Sequence, residues 1–262
     1  MIGETGQTIS ITNLNLRFGR ADDGPNSWEQ RKKAYPGFLE SYPHDFYTFQ
    51  EANDFQVHFL DNLLPEYSFI GHQDPVPDWW QSNIIFYHHR FQCLALDHFY
   101  LSETPEVPSK FEQSRWPRQC TLGVFALDKQ RLLVLTTHFD FKEEVRKASS
   151  NLLLQRLEQY EKQIPAILTG DFNATPGSPC YQTLTAHGGF ANVFQPPYPG
   201  TYHGFDGRDN DQHIDWILYR GEINVLDAQI ITEQFEDVYP SDHFALTATF
   251  RLPREQYCTR HT

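Results

Sequence analysis

Six polar groups interrupt an otherwise apolar pattern, and they are acids, amides and histidines. Asn15, Gln50 with Glu51, His138, Asp171 with Asn173, Asp215, and Asp242 with His243 each stand at one end of a short apolar run. Carboxylates and amide oxygens dominate this set, and its histidines are too few and too poorly spaced for a three-imidazole centre. Hard oxygen donors of this kind favour Mg²⁺, with Mn²⁺ also suited, over Zn²⁺. Each group has an ordinary reading by itself. Asp171-Phe172-Asn173 can be a turn with Asx capping, Ser241-Asp242-His243 can open a strand, and Gln50-Glu51 can be a solvated pair. Asn15 can bond the backbone beside it. Together they exceed what turns require, because turns need neither acids nor histidines.

The elements that must position these groups are short β-type runs: Ile9 to Leu14, Phe46 to Phe49, Ile84 to Tyr87, Gln119 to Ala126, Leu132 to Thr137, Ala166 to Thr169, Ile214 to Tyr219 and Ala245 to Phe250. If these strands lie side by side with matching ends, the polar groups converge on one rim. Helical spacing is clearest from Lys142 to Gln163, where Val145, Ala148, Leu152, Leu153, Leu157 and Tyr160 form one stripe. Phe55 to Leu64 reads as a second helix and Ser178 to His187 as a third, with Ser178 placed to cap it. Pro36 and Gly37 weaken a fourth candidate that starts near Trp28. Strands mixed with few helices indicate an α/β class, and the irregular intervals favour a helix-coated sandwich of two sheets over strict alternation.

The chain has 262 residues, 15% of them aromatic, which suits one compact domain spanning 1–262 with ample surface to bury. No apolar run is long enough to span a bilayer, and the first residues do not read as a secretory signal, so no membrane partner and a cytoplasmic location are expected. Cys93, Cys120, Cys180 and Cys258 lack the paired spacing of a zinc or redox motif and read as free thiols. The net charge of −13 disfavours a wide grip on duplex nucleic acid, so phosphate recognition must be local. The only modest basic cluster is Arg17, Arg20, Arg31, Lys32 and Lys33. Gln73 to Gln81, Ser102 to Pro117 and Gln195 to Gln212 read as loops. Their aromatics, Trp79, Trp80, Trp116, Tyr202, His203 and Phe205, can stack a nucleobase or simply pack against the sandwich.

The ordered set Asn15-Leu16-Arg17, Gln50-Glu51-Ala52, Thr137-His138, Gly170-Asp171-Phe172-Asn173, His213-Ile214-Asp215-Trp216-Ile217 and Ser241-Asp242-His243 resembles the endonuclease/exonuclease/phosphatase superfamily, from about Ile9 to Leu252. Asp22-Asp23-Gly24 through Asn26-Ser27-Trp28-Glu29, and Leu101-Ser102-Glu103-Thr104-Pro105, are similar to a bacterial branch of that group. The resemblance implies a four-layer α/β/β/α sandwich of two mixed sheets flanked by helices, as in deoxyribonuclease I. It implies that Glu51 and Asn15 hold a divalent metal, with Asp242 a further ligand. Asp171 would deprotonate the attacking water and Asn173 would position water or phosphate. His243, held by Asp215, would bond the phosphoryl oxygen, and His138 would make a second phosphate contact.

Arg118 corresponds to a family arginine that reaches the scissile phosphate, a task for which a guanidinium fork is suited; a surface ion pair is its ordinary alternative. Asn13 shares a strand face with Asn15 and rivals it for the metal, and the Leu-Arg that follows Asn15 favours Asn15. The expected protein is a Mg²⁺-dependent phosphoesterase, cleaving a phosphodiester in a nucleotide, a short single strand of nucleic acid or a small phosphorylated metabolite. The competing expectations are a phosphate-binding module without chemistry and a sphingomyelinase-like lipid phosphodiesterase. The first is opposed by the full set of candidate residues. The second is opposed by the lack of an apolar hairpin for membrane insertion.

Overall fold

The computed structural model describes residues 6–72 and 79–252. Its strands are β1 (Gln7–Asn15), β2 (Phe46–Ala52), β3 (Tyr67–Ile70), β4 (Ser82–His88), β5 (Gln92–Tyr100), β6 (Gln119–Leu127), β7 (Gln130–His138), β8 (Ala166–Asp171), β9 (Ala191–Asn192), β10 (Asp215–Arg220), β11 (Asn224–Ile231) and β12 (Ala245–Leu252). The α-helices are α1 (Trp28–Arg31), α2 (Ala34–Ser41), α3 (Asp54–Leu63), α4 (Glu143–Leu157) and α5 (Pro179–Gln182), the last continuing as a wider turn over Thr183–His187.

The strands form two sheets of six, ordered β11-β12-β1-β2-β4-β3 and β5-β6-β7-β8-β10-β9. Each sheet is antiparallel except for one central parallel pair, β1 with β2 and β7 with β8. A parallel pair needs a crossover, and helices supply both: α1 and α2 link the first pair, and α4 links the second. Leu14, Tyr47, Phe49 and Phe86 of the first sheet pack against Trp28, Phe38, Val57 and Leu60 of the helices on its outer face. Leu133, Leu135, Leu168 and Trp216 of the second sheet pack against Leu153, Leu157 and Leu184. Ile11, Phe46, Val134, Ile167, Ile217 and Leu246 fill the space between the sheets. The architecture is the expected α/β/β/α sandwich. Because both faces of the central strands are covered, they read as continuous apolar runs and not as an alternation.

The alternation returns where the chemistry begins. Facing the other sheet are Ile9, Ile11, Asn13 and Asn15 along β1, and Phe46, Thr48 and Gln50 along β2. Val134, Thr136 and His138 do so on β7, and Ile167, Thr169 and Asp171 on β8. Each row turns from apolar to polar toward the same rim. The buried polar groups bond across the gap: Thr169 Oγ1 donates to Thr48 Oγ1 at 2.9 Å, and Gln50 Nε2 donates to Thr136 Oγ1 at 2.9 Å and Asn13 Oδ1 at 2.8 Å.

Three local readings are refined. The region near Trp28 holds two short helices, because Pro36 falls in the first turn of α2, where its missing N–H would have had no helical partner. The stripe from Lys142 unwinds after Leu157 into successive three-residue turns, with the amides of Glu158, Gln159 and Tyr160 bonded to Gln155, Arg156 and Leu157. Ser178 does precede α5, but its hydroxyl lies 3.4 Å from Cys180 Sγ and caps no amide. Cys120 and Cys180 are buried free thiols and Cys93 is half-buried; Cys258 lies outside the described residues. Part of the loop read at Gln73 to Gln81 also lies outside them.

Gly170 sits directly before Asp171 and pairs with Thr137 of β7. A Cβ there would lie 2.1 Å from the Thr137 carbonyl oxygen, and the backbone φ is +150°. Gly170→Ala is expected to destabilise the protein by more than about 3 kcal/mol in urea unfolding. Gly177→Ala, at φ +96° with open space around its Cβ, is expected to cost about 1 kcal/mol.

Candidate active site

Five strand ends and two loops bring the polar groups together. Asn15 closes β1, Glu51 lies near the end of β2, His138 closes β7, and Asp171 and Asp215 face each other in the β8–β10 ladder. A bulge in β2 between Phe49 and Ala52 lets consecutive residues serve different ends. Gln50 turns inward to the buried seam, while Glu51, at φ +57°, turns to the rim. Arg17 and Asn173 also have left-handed backbones, at φ +60° and +48°. For Arg17 and Glu51 this conformation is costly, and three such residues around one pit mark a place where aim takes precedence over local comfort.

Asp171 Oδ2 is the hub. It accepts from Asn15 Nδ2 at 3.0 Å and lies 3.4 Å from His138 Nε2 and 3.9 Å from His243 Nε2. Its other oxygen accepts from the Asn173 amide at 2.9 Å. Asn15 Nδ2 also donates to Glu51 Oε1 at 3.1 Å, and the Phe18 amide donates to Glu51 Oε2 at 2.6 Å. His243 Nδ1 pairs with Asp215 Oδ2 at 2.8 Å, an oxygen that also accepts from Thr201 Oγ1 at 2.7 Å. Arg118 Nη1 donates to His138 Nδ1 at 2.9 Å. A guanidinium can only donate, so His138 carries its own proton on Nε2, facing Asp171.

The two histidines are driven in opposite directions. Burial works against a charged His243, but the negative charge and hydrogen bond of Asp215, with Asp171 and Asp242 nearby, outweigh it and raise its pKa to about 10. Burial, then the positive charges of Arg118 and His243, hold His138 well below the usual histidine range and therefore neutral. Burial and the neighbouring charge of Asp215 push Asp171 up to about 7. The donors around Asp171 also fit a cation. Glu51, His138 and Asp171, and separately Asp171, Asp215 and His243, offer ligand atoms within 4.8 Å of one another. Asp215 and His243 are already committed to each other. The Glu51 and Asp171 side therefore suits an oxygen-seeking divalent ion better.

The Endonuclease/Exonuclease/phosphatase family matches residues 12–243. The chain belongs to this family. Among solved structures it is similar to a family protein from Bacteroides thetaiotaomicron, at 26% identity and a TM-score of 0.87, covering 95% of this chain and 99% of that one. A mannosyl-6-phosphatase from the same organism matches at 26% identity and a TM-score of 0.85, covering 92% and 99%. TDP2 from D. rerio, complexed with a single-strand DNA product, shares the fold at 17% identity and a TM-score of 0.74, covering 93% and 99%. No curated protein matches. The members of this family are phosphoester hydrolases, and this chain has the same two-sheet fold as its structural neighbours.

Within the family fold, Asn15 reaches the pit and Asn13 lies one layer below it, bonded to Thr48 and Gln50. Asp242 stands apart from the Glu51 group: Oδ2 lies 3.7 Å from Arg17 Nε, and Oδ1 lies 4.0 Å from His243 Nε2 and accepts from Ser241 Oγ. Asn173 Nδ2 is spent on the Phe139 carbonyl, which leaves its amide oxygen to face a ligand. Arg118 is 7% exposed and forms no ion pair among the described residues, so it is no surface salt-bridge residue. Thr201 was not foreseen, since a lone threonine in a loop carries no sequence signal. It accepts from the amides of Ile214 and Asp215 and fixes the Asp215 carboxylate. Of the loop aromatics, His203 stacks on Phe244 at 4.0 Å and is structural, whereas Tyr202 lies 5.0 Å from the His243 ring.

Removing the Asp215 charge tests the His243 assignment. In metal-free protein, imidazole ¹⁵N NMR is expected to show His243 charged at pH 8 in wild type and neutral in Asp215→Asn. With a folded value near 10 against 6.5 unfolded, this group's contribution to stability is whole below about pH 6.5 and lost as pH rises through about 10.

Proposed function

We propose that the protein hydrolyses the phosphoester bond of a small phosphorylated molecule, with a divalent metal ion, Mg²⁺ or Mn²⁺, at Glu51 and Asn15, and that sugar phosphates are its substrate class. The observation that carries this reading is the convergence on Asp171 Oδ2 of Asn15, His138 and His243, with Glu51 sharing the Asn15 amide. Such a ligand set accounts for acids, a neutral histidine and a charged histidine in one buried pit. When bound there, the ion supplies positive charge to the phosphoryl oxygens.

Asp171, buried at the hub of the pit with Asn15, His138 and His243 around one carboxylate oxygen, is placed to hold the attacking water and take its proton. Asn173 Oδ1 offers that water a second acceptor. His243, kept charged by Asp215, donates from Nε2 to a phosphoryl oxygen. That donor strengthens as negative charge builds in the transition state. His138, held as the Nε2–H tautomer by Arg118, donates to a second oxygen, and the remaining guanidinium nitrogens of Arg118 reach toward the same phosphate. The new bond to phosphorus comes from water. The bond to the alcohol breaks with its electron pair on the alcohol oxygen, which takes up a proton from solvent, while Asp171 returns the proton it took to solvent.

A small substrate is supported by the net charge of −13, which opposes a long phosphate backbone, and by the likeness to a mannosyl-6-phosphatase at 26% identity. The test compares p-nitrophenyl phosphate, bis(p-nitrophenyl) phosphate and mannose 6-phosphate, with Mg²⁺, with Mn²⁺ and with EDTA. EDTA is expected to abolish turnover and either ion to restore it. Asp171→Asn and His243→Ala are each expected to lower kcat by about 10²–10⁴ with the protein still folded. Equal rates in wild type and both variants would remove the hydrolase reading. Oligonucleotide cleavage that falls steeply with salt would replace the small substrate by a nucleic acid.

A further inference from the structure

Among the described residues, the exposed large aromatics are Trp79, Trp116 and Phe141, at 58%, 50% and 59% exposure. Water contact over so much apolar ring surface is unfavourable, and scattered rings would need no explanation. These three are not scattered. All of them line one cavity of about 500 Å³, which runs from the rings at its outer end to Glu51, Arg118 and His138 at its inner end. An apolar platform and a phosphate-binding end thus belong to a single recess, sized for a ligand of monosaccharide or nucleoside dimensions.

Two of the rings are held in place from one side. The Arg115 guanidinium lies 5.2 Å from the Trp116 centroid, and Arg118 lies 5.6 Å from that of Phe141. Trp79 leans on Trp80 at 5.9 Å with their planes tilted by 58°. About half of each ring's surface stays exposed, on the lining of the same recess. Asp171, Asp215 and His243 are absent from the cavity lining. Water attacks phosphorus opposite the departing oxygen, so a water held by Asp171 sends the alcohol away from Asp171, into this recess.

We infer that the recess receives the alcohol portion of the substrate, that this alcohol carries a ring, and that the ring face packs on Trp79 and Trp116 while the phosphate lies at Arg118 and His138. The inference rests on the hydrolase reading for the direction in which the alcohol leaves. Its chemistry is that of a flat or chair-like ring face on an aromatic surface, which a sugar and a nucleobase both offer. Trp79 and Trp116 are then the specificity determinants of the reaction.

The test needs no turnover. Mannose 6-phosphate, adenosine 5′-monophosphate and glycerol 3-phosphate are titrated with Mg²⁺ into Asp171→Asn protein, reading affinity and the access of acrylamide to tryptophan fluorescence. At least one ring-bearing ester is expected to bind about tenfold more tightly than glycerol 3-phosphate and to shield fluorescence from the quencher. Trp79→Ala and Trp116→Ala, each added to Asp171→Asn, are expected to erase most of that preference. Tighter binding by the hexose ester identifies a sugar as the ring, and tighter binding by the nucleotide identifies a base. Equal binding of all three esters, or a preference that survives both tryptophan substitutions, overturns the inference. Ring preference without turnover in wild type would instead remove the hydrolase reading and leave the recess standing. Turnover without ring preference would do the reverse.

Discussion

The site depends on how the two sheets are aligned against each other. Asn15 and Glu51 come from one sheet, His138, Asp171 and Asp215 from the other, and no strand contributes to both. Apolar packing alone would hold the sheets together but tolerates small shifts, since it has no direction. The hydroxyl and amide bonds from Thr169 to Thr48 and from Gln50 to Thr136 do have direction, and they lie directly beneath the rim. Burying such groups is costly unless they are bonded. Their bonds form only when the two parallel pairs stand level. A slip of one residue in β8 would turn Asp171 toward α4 and bring Leu168 into the gap. The seam thus ties the relative height of the sheets to the assembly of the pit.

Electrostatics then divides labour among similar side chains. His138 and His243 are both buried and both lie within 4 Å of the Asp171 carboxylate. What differs is the partner of each Nδ1 atom: a guanidinium for His138 and a carboxylate for His243. The first partner forbids a second positive charge and the second demands one. One ring is therefore a neutral donor, and the other is an imidazolium poised where negative charge can develop. Thr201 and Arg118, which bond the Asp215–His243 pair and the His138 ring, make the difference structural. It is not a matter of bulk pH.

Most of this pit was legible because the strands announce their ends. A run such as Ile167-Leu168-Thr169 followed by Gly170-Asp171 is apolar on both faces until it reaches the rim, so the change in character marks the place. Asn15 and Asn13 could be placed on one face by period alone, although their depth could not. That depth depends on which residue meets Gln50 and which meets Asp171, a matter of sheet-to-sheet contact that no local pattern records. Thr201 and the three-residue turns after Leu157 were illegible for the same reason. Thr201 matters through bonds to residues more than ten positions away, and α4 ends where the turn toward β8 begins, ahead of the last apolar position of its stripe.

An acidic chain that handles phosphate looks contradictory only if charge is averaged over the molecule. The potential that a phosphate meets is set within a few ångströms, where water is largely excluded and screening is weak. Within that range lie Arg118, which pairs with no acid among the described residues, and His243, held positive. Arg17, by contrast, is shared between Asp23 and Asp242. On the proposed reading, the carboxylates of Glu51 and Asp171 would repel a phosphate unless a cation joined them, so affinity for phosphate and for the ion would rise together. A short ester would gain all of this local attraction. A long polyanion would gain the same single contact, and every further phosphate it carried would meet the acidic surface beyond the pit.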